Sequence, residues 1–387
     1  MQKPKILIID NSRFPTGAFT SIYLLSSAIH DFEFHFSIPS DSLLVGKLNK
    51  DGIRVYPLPY LELSKSFRSI FYLPVLIVNS FRLLRYIRKH RISVVHVNDV
   101  YNLCGVVLKF LNPDLHLIYH VRLLPDSYIR NLYSLYVFFV KKFADEVIAV
   151  SEAVQSTLKN RYNLNSQLIY GFIRAADYNQ PDDKPKRSGH ITLLYLANYT
   201  KGKGHEFAIR AVLKAHEKIK NLKMIMAGGV FDSDKNLKFK KYLEEMVRSN
   251  GAEGYIHLHE FVEDAQQLIK ACDIFLNFSE SESFSRTCLE AMTCGRPVIA
   301  TECGGPGEMV IHGKTGLLVP VGNTDAMAEA IVQLATHEEL RLQLAAEGQK
   351  YVMKKFEPEQ SIQKMRNIYS SLLGHPVKSE VTIGGKI

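Results

Sequence analysis

The stretch from Asn277 to Thr301, NFSESESFSRTCLEAMTCGRPVIAT, decides how the rest of the chain is read. An apolar run, DIFLNFS, reads as a buried strand and breaks into a Ser/Glu-rich turn. A helix over about 285–294 follows. Gly295 closes that helix and Pro297 opens the next strand. Strand, polar turn, helix and strand form the repeating unit of a parallel α/β sheet. Glu282 lies in the turn and Glu290 lies eight positions later, inside the helix. A carboxylate can accept from two vicinal hydroxyls at once, which suits the diol of a ribose or a sugar ring. The helix start adds uncommitted backbone N–H groups and the positive end of a dipole. In a doubly wound sheet such a turn lies in the crevice at the carboxyl ends of the strands, where ligands bind.

Outward from this segment the same alternation occurs twice. KILIID, FEFHFSIP, VVHVND, LHLIYHV and DEVIAVS read as buried strands in the first half, with amphipathic helices such as 72–91 and 129–144 between them. ITLLYLAN, KMIMAGG, IHLHEF, DIFLNFS and PVIATE repeat the theme in the second. A length of 387 residues suits two such domains. The polar segment from Tyr178 to Gly189, with two prolines, reads as the linker. The expected division is a Rossmann-like first domain over 1–180 that takes the acceptor and a second over 190–356 that takes the donor. A helix over 357–373 crosses back to the first domain, and 374–387 forms a mobile tail.

Charge is unevenly spread. Residues 1–180 hold 21 Lys and Arg against 13 Asp and Glu, whereas the remainder is nearly balanced. A basic half suggests a polyanionic partner, either a membrane surface or a phosphorylated substrate. Nucleic acid is disfavoured, because no zinc-finger spacing or RNP-like aromatic motif occurs. The N-terminus lacks a signal-peptide core, and the five cysteines form no CxxC pair. Both features fit a cytoplasmic protein.

ESFSRTCLEAMTCGRPVIAT, running from Glu282 through Glu290, Gly295 and Pro297, closely resembles the E-x7-E signature of family 4 retaining glycosyltransferases. The resemblance extends to Gly304-Gly305-Pro306-Gly307-Glu308 with HGKTGLLVP after it, and to Lys203-Gly204. It continues more loosely to VVHVND, His120 and DEVIAVSE. It implies a GT-B architecture, two facing Rossmann-like doubly wound domains with the site in the cleft between them. It also implies a nucleoside-diphosphate sugar donor, UDP- or GDP-linked, a saccharide or lipid-linked acceptor, and no metal or cofactor. By the same resemblance Glu290 holds the ribose, Glu282 lies beside the transferred sugar, and Lys203 neutralises the diphosphate. Backbone N–H groups of Phe284, Ser285 and Arg286 meet sugar hydroxyls, His120 faces the donor sugar from the first domain, and Gly17 lines the phosphates. Two departures stand out. The family's arginine five residues before the lysine is replaced by Asn198, and its paired N-terminal glycines by the single Gly17. Arg286 and Arg13 are the cations available to compensate.

Other readings were weighed on the same residues. Asp232-Ser233-Asp234 has the DxD form of a metal site but sits where a helix cap is expected. Gly307–Thr315 approaches a Walker A loop, with Glu308 where that motif needs glycine. His257 and His259 lack further zinc ligands nearby. The segment Phe67–Arg91 is apolar and basic. Pro74 and Asn79 are expected to interrupt it, leaving too short a span to cross a bilayer, and it reads either as a core-packed helix with a solvated basic face or as a contact with an anionic membrane surface at the inner face of the plasma membrane. A nucleotide-sugar epimerase on the same plan and a sugar-nucleotide sensor without turnover are the competing functions. A role in cell-surface polysaccharide biosynthesis follows from the basic first half and the resemblance.

Overall fold

A computed structural model describes residues 3–61, 67–125, 130–174, 189–231 and 234–374. The proposed linker, apart from Gly189, and the tail from His375 lie outside the described residues, as do Asp232 and Ser233.

The first half forms a seven-stranded sheet in the order β3-β2-β1-β4-β5-β6-β7. Its strands are β1 (Lys5–Ile9), β2 (Glu33–Ser37), β3 (Arg54–Val55), β4 (Val94–Val97), β5 (His116–Val121), β6 (Glu146–Ala149) and β7 (Gln167–Leu168). Helices α1 (Gly17–Ala28), α2 (Leu44–Lys50), α3 (Tyr72–His90), α4 (Cys104–Leu111), α5 (Arg130–Phe143) and α6 (Glu152–Tyr162) intervene. Every pairing in this sheet is parallel. Helices cover both faces of such a sheet, so its strands are continuous apolar runs rather than alternating ones. All four residues of β4, Val-Val-His-Val, are buried.

The second sheet has six parallel strands in the order β10-β9-β8-β11-β12-β13. They are β8 (Ile191–Leu196), β9 (Leu222–Ala227), β10 (Ile256–His259), β11 (Ile274–Asn277), β12 (Val298–Thr301) and β13 (Leu317–Val319). The accompanying helices are α7 (His205–Lys218), α8 (Asp234–Ser249), α9 (Ala265–Ala271), α10 (Arg286–Thr293), α11 (Pro306–Met309), α12 (Thr324–Thr336) and α13 (Glu338–Lys355). In each sheet the winding reverses at one place, between β1 and β4 and between β8 and β11. Apart from His120, which lies in β5, the predicted site residues follow β1, β8 and β11 at these reversals, where an open α/β sheet leaves a crevice.

The last helix, α14 (Pro358–Leu372), packs on the first sheet. Ser361 Oγ donates to the Tyr170 carbonyl at 3.0 Å, and Lys364 Nζ to the Leu168 carbonyl at 3.2 Å. Its deepest anchor is Tyr369, whose hydroxyl meets Nδ1 of His96 at 2.7 Å. Burial pushes the His96 imidazole down to about 3, so the ring takes part in this bond in its neutral form.

The short edge strands β3 and β7 carry too few residues to show a pattern, whereas β13 falls in the HGKTGLLVP run that the resemblance includes. The reading of α3 needs correction. Pro74 does not interrupt α3, because it falls in the first turn, where no intrahelical N–H is lost. Asn79 does not interrupt it either: it is buried and donates to the Pro59 carbonyl at 3.0 Å. The helical segment Ser69–His90 is long and apolar enough, by length and composition, to cross a membrane. Seven residues of α3 are nevertheless buried in the domain. The Walker-like Gly307–Thr315, already set aside because Glu308 stands where that motif needs glycine, spans the end of α11 and a turn closed by the Thr315 hydroxyl accepting from Ile311 N–H at 2.7 Å.

Tyr369→Phe is expected to cost about 1–3 kcal/mol, the penalty for leaving a buried imidazole nitrogen unpaired. Urea unfolding of the two proteins, compared at equal slope, measures it.

Candidate active site

The site is assembled by loops held backbone against backbone. After β8 the chain turns through Gly202 and Gly204, both at positive φ. A Cβ on Gly204 would lie 1.9 Å from the Phe278 carbonyl oxygen, so only glycine lets this loop rest on the segment leaving β11. The buried Tyr195 hydroxyl locks the contact, donating to the Lys203 carbonyl and accepting from Phe278 N–H. A second contact joins the Glu282 turn to the loop after β12. Glu282 N–H donates to the Cys303 carbonyl at 3.0 Å and Gly305 N–H donates to the Glu282 carbonyl at 2.7 Å.

These contacts bring Lys203 Nζ within 2.7 Å of Glu282 Oε2. The two side chains remain 35% and 18% exposed, enough for a ligand to reach them. Burial opposes the ammonium charge, but Glu282 outweighs it and raises the Lys203 pKa, so Lys203 is a cation. One turn into α10, the Arg286 guanidinium lies 3.1 Å from Glu290 Oε1. It also donates to the Phe172 carbonyl of the first domain at 3.0 Å. Gly17, the first residue of α1, faces Arg286 so closely that a Cβ would stand 3.2 Å from its Cδ. Ser285 caps α10, its hydroxyl accepting from Cys288 N–H at 3.3 Å and from Asn277 Nδ2 at 2.8 Å. The Phe284 ring packs into the interdomain contact, against Phe356 and Tyr170.

Three residues named from the sequence lie apart from the two ion pairs. Asn198 is exposed, and its side-chain oxygen accepts from Gly229 N–H at 3.3 Å. Arg13 is paired with Asp41 at 2.9 Å, on a loop whose Phe14 packs against Phe231 of the second domain. His120 is buried. Its Nδ1 accepts from Arg122 at 3.2 Å, and it stacks on His96. Burial, then the Arg122 charge, hold its pKa well below the usual range, so the ring is neutral with its proton on Nε2. That Nε2 finds no hydrogen-bond partner among the described residues. His96 Nε2 and His205 Nδ1, on other buried rings, likewise have none.

Around His120 lies a buried network that sequence reading missed. Arg122 Nε donates to Asn98 Oδ1 at 2.9 Å, and Asn98 in turn donates to Asp10. Asp99 accepts from Val100 N–H at 2.7 Å, holds a φ of 138° and is pushed by burial up to about 7. All four stand at or just beyond the carboxyl ends of β1, β4 and β5. Polar residues terminating an apolar run were the available signal. The carboxylate of Glu308, in the short helix after β12, accepts from Glu152 and Ala153 N–H at 2.9 and 2.8 Å, in the first turn of α6. Among the described residues no group of three or more His, Cys, Asp or Glu gathers as a metal site.

Comparison with known proteins agrees with this layout. The family model described as Glycosyltransferase Family 4 matches residues 24–175, and the one described as Glycosyl transferases group 1 matches residues 178–351. The chain belongs to the family 4 glycosyltransferases. It is 27% identical over 357 residues to the uncharacterized glycosyltransferase MJ1178 of Methanocaldococcus jannaschii, covering 90% of this chain and 92% of that one. It is 28% identical over 244 residues to the N-acetyl-alpha-D-glucosaminyl L-malate synthase of Bacillus anthracis, covering 59% of this chain and 60% of that one. Among solved structures, Anabaena HepE in complex with UDP and glucose superposes with a TM-score of 0.82 at 22% identity, covering 95% of this chain and all of the other. This glycosyltransferase thus has the GT-B fold.

Lys203→Ala is expected to lower catalytic efficiency by more than about tenfold, since a diphosphate in a partly closed cleft depends on nearby cations. Steady-state kinetics over a panel of nucleotide sugars measures the loss, and unchanged values with every active donor would remove Lys203 from the site.

Proposed function

We propose that this glycosyltransferase moves a sugar from a nucleoside-diphosphate sugar, UDP- or GDP-linked, to a hydroxyl of a saccharide or lipid-linked acceptor, with retention at the anomeric carbon and without a metal. One observation carries the reading. Each ion pair of the unliganded site joins a cation suited to phosphate with a carboxylate suited to a diol: Lys203 with Glu282, and Arg286 with Glu290. A nucleotide sugar has two phosphates between two polyhydroxy rings. Its binding gives all four side chains new partners at once, the phosphates taking Lys203 and Arg286, the ribose taking Glu290 and the sugar taking Glu282.

In the chemical step the bond from the anomeric carbon to the phosphate oxygen breaks and its electrons pass to the leaving diphosphate. Lys203 and the backbone dipole at the start of α10 stabilise that growing charge. The acceptor oxygen bonds to the anomeric carbon from the same face, and its proton passes to the departing phosphate oxygen. Both carboxylates are held by cations, which suits charge stabilisation better than attack as a nucleophile. The neutral His120, with its uncommitted Nε2–H, is suited to donate to a sugar hydroxyl. Cell-surface saccharide synthesis at the cytoplasmic face of a membrane is the setting this reading favours.

The two glutamates are expected to fail differently. Glu290→Gln raises the donor KM, because ribose binding is the same in ground and transition states. Glu282→Gln lowers kcat by roughly a hundredfold, the scale for one electrostatic contact to a developing charge. Kinetics with varied donor and saturating acceptor, beside thermal melts, separate the two, and NMR of the first-formed product gives the anomeric outcome. Activity within about twofold for both variants sinks the assignment. Isomerised donor formed without acceptor favours an epimerase instead.

A further inference from the structure

We infer that the face formed by α3, α4 and α5 of the first domain docks on an anionic lipid bilayer. These three helices contain no Asp or Glu. The outer stripe of α3 begins apolar, with Leu73, Ile77 and Phe81 spaced four residues apart and Leu73 63% exposed. The stripe continues one turn on as Arg85 and Arg88, flanked by Arg82 and Lys89, all exposed. Its inner stripe, including Leu76, Leu83 and Ile87, is buried, so α3 is fixed to the domain with its bare face outward.

The neighbouring helices extend the same surface. Helix α4 packs beside α3 and α5 beside α4. They add Phe110, the exposed Leu135 and Phe138, and the exposed cations Lys141 and Lys142. Isolated exposed apolar residues are ordinary, but large apolar side chains on three adjacent helices, rimmed by one sign of charge, mark an interaction surface. Apolar side chains that enter the acyl boundary beside cations that meet headgroup phosphates are the composition of an interfacial helix. A second copy presenting the same face would be repelled by such one-signed charge. Because the helices run against parallel strands, the apolar start of α3 lies toward the carboxyl ends of the strands, where the cleft is. The cations at its end lie away from it. This orientation brings the cleft to a membrane-held acceptor, a consequence that rests on the proposed reaction, whereas the docking itself does not.

Vesicle co-sedimentation of the full chain tests the surface without using turnover. The wild type is expected to partition onto vesicles of phosphatidylcholine with about a third phosphatidylglycerol, and far less onto phosphatidylcholine alone. Replacing Arg82, Arg85, Arg88 and Lys89 with Gln is expected to weaken partition more than about a hundredfold, since each such cation is worth roughly fivefold near an anionic surface. Added salt should mimic that variant. L73S/I77S/F81S is expected to lose the binding that resists salt. Donor-induced thermal shifts, unchanged in both variants, show that each is folded with an intact donor site. Wild-type protein that ignores anionic vesicles at low salt overturns the inference. So does a stable dimer in sedimentation velocity that L73S/I77S/F81S dissociates while vesicle binding is absent, which would assign the face to a second copy.

Discussion

Direct backbone contact between neighbouring loops is the constraint on which the site depends. A Cβ on Gly204, Gly305 or Gly228 would stand within about 2–3 Å of backbone atoms across the contact, on Phe278, Phe284 and Ala197 respectively. At Gly304, which has a φ of 114°, the obstacle is the Glu282 carbonyl oxygen at 2.6 Å. The loops after β8, β11 and β12 therefore touch with no side chain between them. Their functional side chains leave a shared backbone platform rather than separate flexible turns, which is how a 2.7 Å ion pair forms between residues 79 positions apart. The buried Tyr195 hydroxyl then fixes the relative height of two of the loops, a role a phenylalanine could not fill.

The segments that carry the site also join the domains. Ser283, next to Glu282, accepts from Leu124 N–H of the first domain at 2.8 Å. Arg286 reaches the Phe172 carbonyl and Gly17, while Glu308 holds the start of α6. A carboxylate on the uncommitted N–H groups of a helix satisfies both the donors and the dipole, so this contact also orients the domains. Coupling follows. Any ligand that draws Arg286 or the Glu282 turn toward itself acts on contacts that also set the interdomain angle.

Much of this was legible in the sequence. The run from Asn277 to Thr301 named strand, turn, helix and strand, and α10 with Gly295 at positive φ and β12 after Pro297 appear where the pattern places them. The crossing α14 was visible as the helix expected over 357–373, with Pro358 in its first turn. The domain interface was not legible, because no local pattern says that Glu308 caps a helix 155 residues away. Nor was the buried network at His120. Asp10, Asn98 and Arg122 each look like the ordinary polar end of a strand, and only the reversal of winding between β1 and β4 gathers them. Helix α3 departs from its sequence pattern for a physical reason: proline breaks a helix interior but is compatible with the first turn, where Pro74 lies.

The four charged side chains at the centre of the site sum to zero, which bears on what it can select. Both pairs are mostly buried, so opening one is costly unless the ligand gives each charge a new partner. Until a ligand arrives, each pair holds its cation and its carboxylate in place. Inorganic diphosphate would engage Lys203 and Arg286 but leave Glu282 and Glu290 unpaired beside new negative charge, and that repulsion offsets the gain. A lone sugar or nucleoside would satisfy a carboxylate while stranding its cation. Only a ligand with anions in the middle and diols at both ends exchanges partners for all four without leaving a charge uncompensated. Selectivity for an intact nucleotide sugar over its fragments then comes from the penalty the site imposes on partial occupants, not from net attraction for phosphate.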